Sequence, residues 1–124
     1  MFEKITATAI GGLLFVYGIY CLIAPEQVAT NIGYGLSNHE AKLEFLAMYG
    51  SVEIAIGFFG LLGVVNAQYL KPALLLFAIT FALLLITRIA GYAILDDLGP
   101  YTQMATIFEL LCSAFAYLAF RRLA

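Results

Sequence analysis

The chain is predicted to be all-α: an integral membrane four-helix bundle with N and C termini cytoplasmic. Three observations carry that expectation. Of 124 residues, 64% are hydrophobic and 11% charged, and mean hydropathy is +0.98. A soluble domain is nearer a quarter charged. Apolar runs long enough for a bilayer helix, about 20 residues each, recur four times. The charges between the runs are also unequal. Lys4, Lys71, Arg121 and Arg122 fall on one side, whereas Lys42 stands on the other with Glu26, Glu40, Glu44, Asp96 and Asp97. The excess of Lys and Arg places the first side in the cytoplasm. Residues 1–124 then form one domain, with helices at about 5–24, 38–65, 73–95 and 101–120.

Each element has its own reason. Ile5 to Ala24 is an apolar run too long for a signal peptide, and Pro25 directly after it is a poor cleavage context. Proline also disfavours helix in the residue before it, so the first helix is expected to end at Ala24. Its Ala7, Gly11 and Gly18 share a face, and small residues let helices approach closely in lipid. Residues 25–37 are expected to be the longest connection, since NIGYGLSN is rich in turn formers. Ser37 and Glu40 have capping-box spacing, which starts the second helix near Asn38. In that helix Gly50, Gly57, Gly60 and Gly63 favour close packing. Asn66 to Pro72 reads as a short turn. Ala73 to Leu95 is aliphatic and aromatic until Thr87 and Arg88. Asp96, Asp97, Gly99 and Pro100 make an acidic turn before the last span, Tyr101 to Phe120.

The chemistry lies inside the spans. Glu53, Arg88 and Glu109 are their ionisable residues. A charge at the bilayer centre costs roughly 3 kcal/mol or more, so such residues face the bundle interior and pair. At 1.5 Å per residue, Glu53 and Glu109 lie ~12 Å and Arg88 ~10 Å below the outer helix ends. Three spans thus place their charges in one layer. Tyr49 precedes Glu53 by four residues on the same face, and Tyr17 has similar depth on the first helix. Thr102, Thr106, Glu109, Ser113 and Ala116 form a small-polar stripe on the fourth. Together they outline a polar pocket in the outer half of the bundle. Arg88, with five donors, can bridge both carboxylates. Two carboxylates against one guanidinium leave a net negative charge, which a proton on one glutamate would neutralise.

Other chemistries find no support. Six basic residues and a net charge of −2 make no stripe for nucleic acid. Cys21 and Cys112 form no metal motif with the lone His39, so no metal is expected. No nucleophile–base pair or nucleotide loop is visible, which argues against an enzyme.

Several segments resemble a known family. APEQVA after the first helix, AMYGSVEIAIG in the second, ITRIAGY in the third and FELL in the fourth are similar to domain of unknown function 4345, small bacterial four-helix membrane proteins. The most specific part is Met48, Tyr49, Gly50 and Glu53 with the later Arg88 and Glu109. A more distant resemblance is to DoxX-type four-helix proteins, some associated with quinone-linked oxidoreductases. Where the family often has a basic residue before Ala-Met-Tyr-Gly, this chain has Leu46, so an anion-binding role for that position does not carry over. The resemblance implies the fold and a polar centre in a bacterial inner membrane, without an established activity.

The function expected is therefore a binding module. Glu53, Arg88 and Glu109 would grip the polar end of a small lipophilic or amphiphilic molecule of lipid or quinone type, with Tyr17 and Tyr49 at the mouth. No other cofactor is expected. The alternative is an accessory or assembly subunit of a larger membrane complex, or a homo-oligomer, in which the buried charges only fix helix register.

Overall fold

A computed structural model describes residues 1–123, so Ala124 of the expected domain lies outside the described residues. The chain is all-helical. Its helices are α1 (Phe2–Ile23), α2 (Pro25–Ile32), α3 (His39–Phe45), α4 (Val52–Val65), α5 (Ala67–Ile94) and α6 (Pro100–Arg122), with a π-helical turn, Leu46–Ser51, joining α3 to α4. Four helical stretches are long and apolar enough to cross a membrane: α1, α3 through α4, α5 and α6. This is the architecture of a multi-pass membrane protein.

Small residues decide which helices touch. α1 packs most closely on α4, and α5 on α6. A methyl group at Gly57 would lie 2.6 Å from the Gly11 carbonyl oxygen, and one at Gly18 2.7 Å from that of Gly50. The two backbones are therefore in direct contact along α1 and α4, which only small residues permit. At Gly60 the space is taken by the Phe77 ring of α5, which is fully buried.

The two ends of the bundle differ. At the proximal end, where α1 begins and α6 ends, Arg122 Nε forms an ion pair with Glu3 at 3.2 Å and its guanidinium lies 5.3 Å from the Phe2 ring. Above this clasp the core is apolar. Ala7, Leu70, Leu74 and Ala119 form one layer, and Ile10, Phe77, Ala78, Phe81, Cys112 and Ala116 the next. Toward the distal end the packing changes. Among the described residues, α5 buries nothing beyond Phe81 and α6 nothing before Glu109. α1 and α4 instead acquire a cover there. Cys21, Val28, Ala29 and Phe45 make a third cluster beneath α2, with Tyr17 and Tyr49 against it. The distal half of the α5–α6 hairpin is thus more exposed than the capped α1–α4 pair.

Three local expectations are corrected. The segment after α1 is not an open connection, because PEQVATNI forms α2. Pro25 stands at its first position, where the missing N–H is harmless, and Gly33 ends it in the left-handed region at φ 80°. The second spanning helix is capped by Asn38, whose side chain accepts from Ala41 N–H at 2.8 Å, instead of by a Ser37–Glu40 box. Asn38 wins because it is already extended where the helix begins. The stretch Asn66 to Pro72 is not a turn either, since α5 starts at Ala67. The Asn66 side chain caps it by accepting from Gln68 N–H, and Pro72, one turn further on, removes a single backbone bond.

Candidate functional site

The polar layer divides into a closed part and an open part. Glu109 projects from α6 into the bundle and is 4% exposed. Arg88 of α5 meets it, its Nε donating to both carboxylate oxygens at 2.8 Å. The Arg88 side chain is 26% exposed, so this pair is largely removed from solvent. A shared N–H to two oxygens satisfies the carboxylate on one edge. The rest of the guanidinium is turned toward Tyr101, its carbon 5.9 Å from the centre of that ring and within cation–π range. Arg88 therefore ties α5 to Glu109 and to the first turn of α6.

Glu53 is not part of that pair. The expected bridge from Arg88 to both glutamates is corrected: Glu53 makes no hydrogen bond or ion pair among the described residues. It is half-buried in the first turn of α4. Tyr17, Cys21 and Tyr49 are near enough to feel its charge. Tyr49 in turn is near enough to feel both Glu53 and Arg88. An unpartnered carboxyl in a membrane-spanning helix is costly and needs a hydrogen-bonding partner.

Backbone geometry places Glu53 and Tyr49. The turn Leu46–Ser51 is wound one residue wider than an α-helix, with the N–H of Val52 on the carbonyl of Ala47. Such π-turns are frequent at functional sites because they re-aim the side chains that follow. Phe45 stacks on Tyr49, 4.7 Å between centroids at 13°, and Tyr34 closes on both at 5.9 Å. This aromatic wall holds Tyr49 under the α2 cover. The small-polar stripe of α6 is partly satisfied internally. Thr106 donates to the Thr102 carbonyl at 2.7 Å and Ser113 to that of Leu110 at 3.0 Å, and Thr106 lies 3.4 Å from the Tyr92 hydroxyl.

Of the residues singled out from sequence, Arg88 and Glu109 are in contact, while Tyr17, Tyr49 and Glu53 gather on the α1–α4 side. Gly11, Gly18, Gly50 and Gly57 lie at the α1–α4 contact. Three contributors were not anticipated. Tyr101 had the position of an interfacial anchor, yet it meets Arg88. The signal was there in Arg88 itself, whose long side chain can extend toward the helix end. Tyr34 and Phe45 form the wall behind Tyr49, and no spacing rule joins a loop tyrosine to them. Among the described residues there is no cluster of metal-ligating side chains.

No curated protein and no solved structure matches the chain. The family model described as Domain of unknown function (DUF4345) matches residues 2–120, so the resemblance holds and the chain belongs to that family.

Proposed function

We propose that the protein is a multi-pass binding module of the bacterial inner membrane, both termini cytoplasmic. Its ligand is a small lipophilic or amphiphilic molecule of lipid or quinone type, held in the distal half of the bundle. One observation carries the reading: Glu53 is a half-buried carboxyl with no hydrogen bond or ion pair among the described residues. It sits beside a distal α5–α6 hairpin that buries almost nothing. A carboxyl in that setting is stabilised by a ligand hydroxyl, amine or phenol. The remaining donors of Arg88 suit a carbonyl or phosphoryl oxygen of the same molecule. The apolar remainder would lie along the open distal faces of α5 and α6. Binding is the proposal, not catalysis, because the residues assembled offer a carboxyl and donors but no nucleophile with its base.

A second reading has one observation in its favour. Leu83, Ile86, Ile89 and Ile107 are exposed on the distal halves of α5 and α6. A helix from another subunit would cover them, making the protein an accessory or assembly subunit. Native mass spectrometry of the detergent-purified protein separates the two. Binding predicts a small-molecule adduct that is lost in Glu53→Gln and kept in Gly12→Ala. A stable protein partner, with no adduct dependent on Glu53, would establish the subunit reading and end the first.

A further inference from the structure

A second feature lies on the α1–α6 side of the bundle, running from the depth of Glu109 toward the end where α1 begins. α1 and α6 diverge there around a groove of about 330 Å³, its walls formed by Ile5, Ala9 and Leu13 of α1 and Phe108, Leu111 and Phe115 of α6. It continues into a second concavity of about 400 Å³ that includes Met1, Lys4 and Thr8. Ile5 and Ala9 line both, so the two adjoin across one wall of α1. From Phe2 to Leu13 the groove runs ~16 Å along α1. That matches one leaflet of a hydrocarbon core about 30 Å thick.

Charge decides what fills it. The proximal end carries Lys4, Lys71, Arg121, Arg122 and the terminal amine. Glu3 alone is acidic among the described residues there, and it is occupied by Arg122 and by that amine. Lys71 lies over the Phe120 ring and Arg121 against Tyr117, so the cations surround the α6 end. Lys4 lines the adjoining concavity next to Ile5, is exposed, and has no carboxylate partner among the described residues. An apolar trough one leaflet long that opens beside unpaired cationic groups is complementary to a lipid with an anionic headgroup.

We propose that this α1–α6 groove is a binding site for an anionic phospholipid of the leaflet facing the termini. One acyl chain lies between Ala9 and Leu111, and the phosphate meets Lys4. The site is independent of Glu53 and of the distal ligand. A polybasic surface attracts anionic lipid in general; here the groove localises the chain at one seam of the bundle.

The chain has no tryptophan, so one introduced indole reports on one place. Leu111→Trp places it in the groove and Phe58→Trp on the exposed face of α4. Both variants are reconstituted in phosphatidylcholine vesicles containing brominated phosphatidylglycerol or brominated phosphatidylcholine. The site predicts that the brominated anionic lipid quenches Leu111→Trp at a severalfold lower mole fraction than the zwitterionic one. Phe58→Trp should show no preference. Adding Lys4→Gln should remove most of the preference, and adding Glu53→Gln should leave it intact. Equal quenching by both lipids at Leu111→Trp would overturn the proposal. So would quenching by neither, which would mean that a second copy of the chain covers the groove.

Discussion

Glu53 and Glu109 are the same residue type at similar depth, and their surroundings give them opposite roles. Glu109 is buried and doubly contacted by Arg88. Removing one partner of such a pair strands the other charge, which typically costs about 3–5 kcal/mol. Glu109→Gln should therefore lower stability by an amount on that order in a reversible detergent-unfolding titration. Glu53 has no protein partner to lose among the described residues, so Glu53→Gln should change stability by under about 1 kcal/mol, or raise it. Equal losses in the two variants would show that Glu53 is structural after all. The sequence displayed all three charges and their common depth, because hydrocarbon makes any ionisable residue conspicuous. It could not display the pairing, since either glutamate lies within an arginine's reach and the choice depends on helix rotation.

At the scale of elements, helix positions were legible and helix edges were not. The long apolar runs are visible because the bilayer demands length and hydropathy together. α2 is short and half polar, so it lacks that signal, although Pro25 and Gly33 bracket it. Pro72 reads as a boundary, yet it sits one turn inside α5, where a single lost bond is tolerated. The π-turn at Leu46–Ser51 leaves no trace in apolar periodicity. The glycine contacts are specific enough to test. A methyl group at Gly57 would meet Phe15 N at 2.5 Å, whereas nothing lies within 4 Å of one at Gly12. Gly57→Ala should destabilise the bundle by about 1–3 kcal/mol through overpacking. Gly12→Ala should stabilise it by up to about 1 kcal/mol, helix propensity being the main effect. The same unfolding titration measures both.

The α2 cover adds a pH prediction. Glu26 is hydrogen-bonded to Lys42 of α3, which holds its carboxyl below the ordinary value of 4.5. A carboxyl depressed by folding contributes stability that is present above its unfolded value and lost as pH falls through its folded value. The amides of α2 should therefore exchange faster as pH drops below 4.5, after correction for intrinsic rates. Lys42→Gln should remove that acid sensitivity. Exchange that is equally pH-sensitive in the variant would place the linkage elsewhere.

The whole molecule is asymmetric along its axis, with an apolar core and the Arg122–Glu3 clasp proximally and an open hairpin distally. That contrast predicts different breadths of motion at the two ends. Spin labels at Leu43 and Gln103, on the distal ends of α3 and α6, should give a broad distance distribution. Labels at Val65 and Leu118, on the proximal side, should give a narrow one. Equal widths would argue against an open distal half. The infrared carboxyl region tests the central claim most directly, as a difference spectrum between protein as purified and protein stripped of bound small molecules. If Glu53 grips the ligand, stripping produces carboxyl or carboxylate bands that vanish in Glu53→Gln. A difference spectrum without such bands, or one unchanged in Glu53→Gln, would contradict the assignment of Glu53 to a ligand.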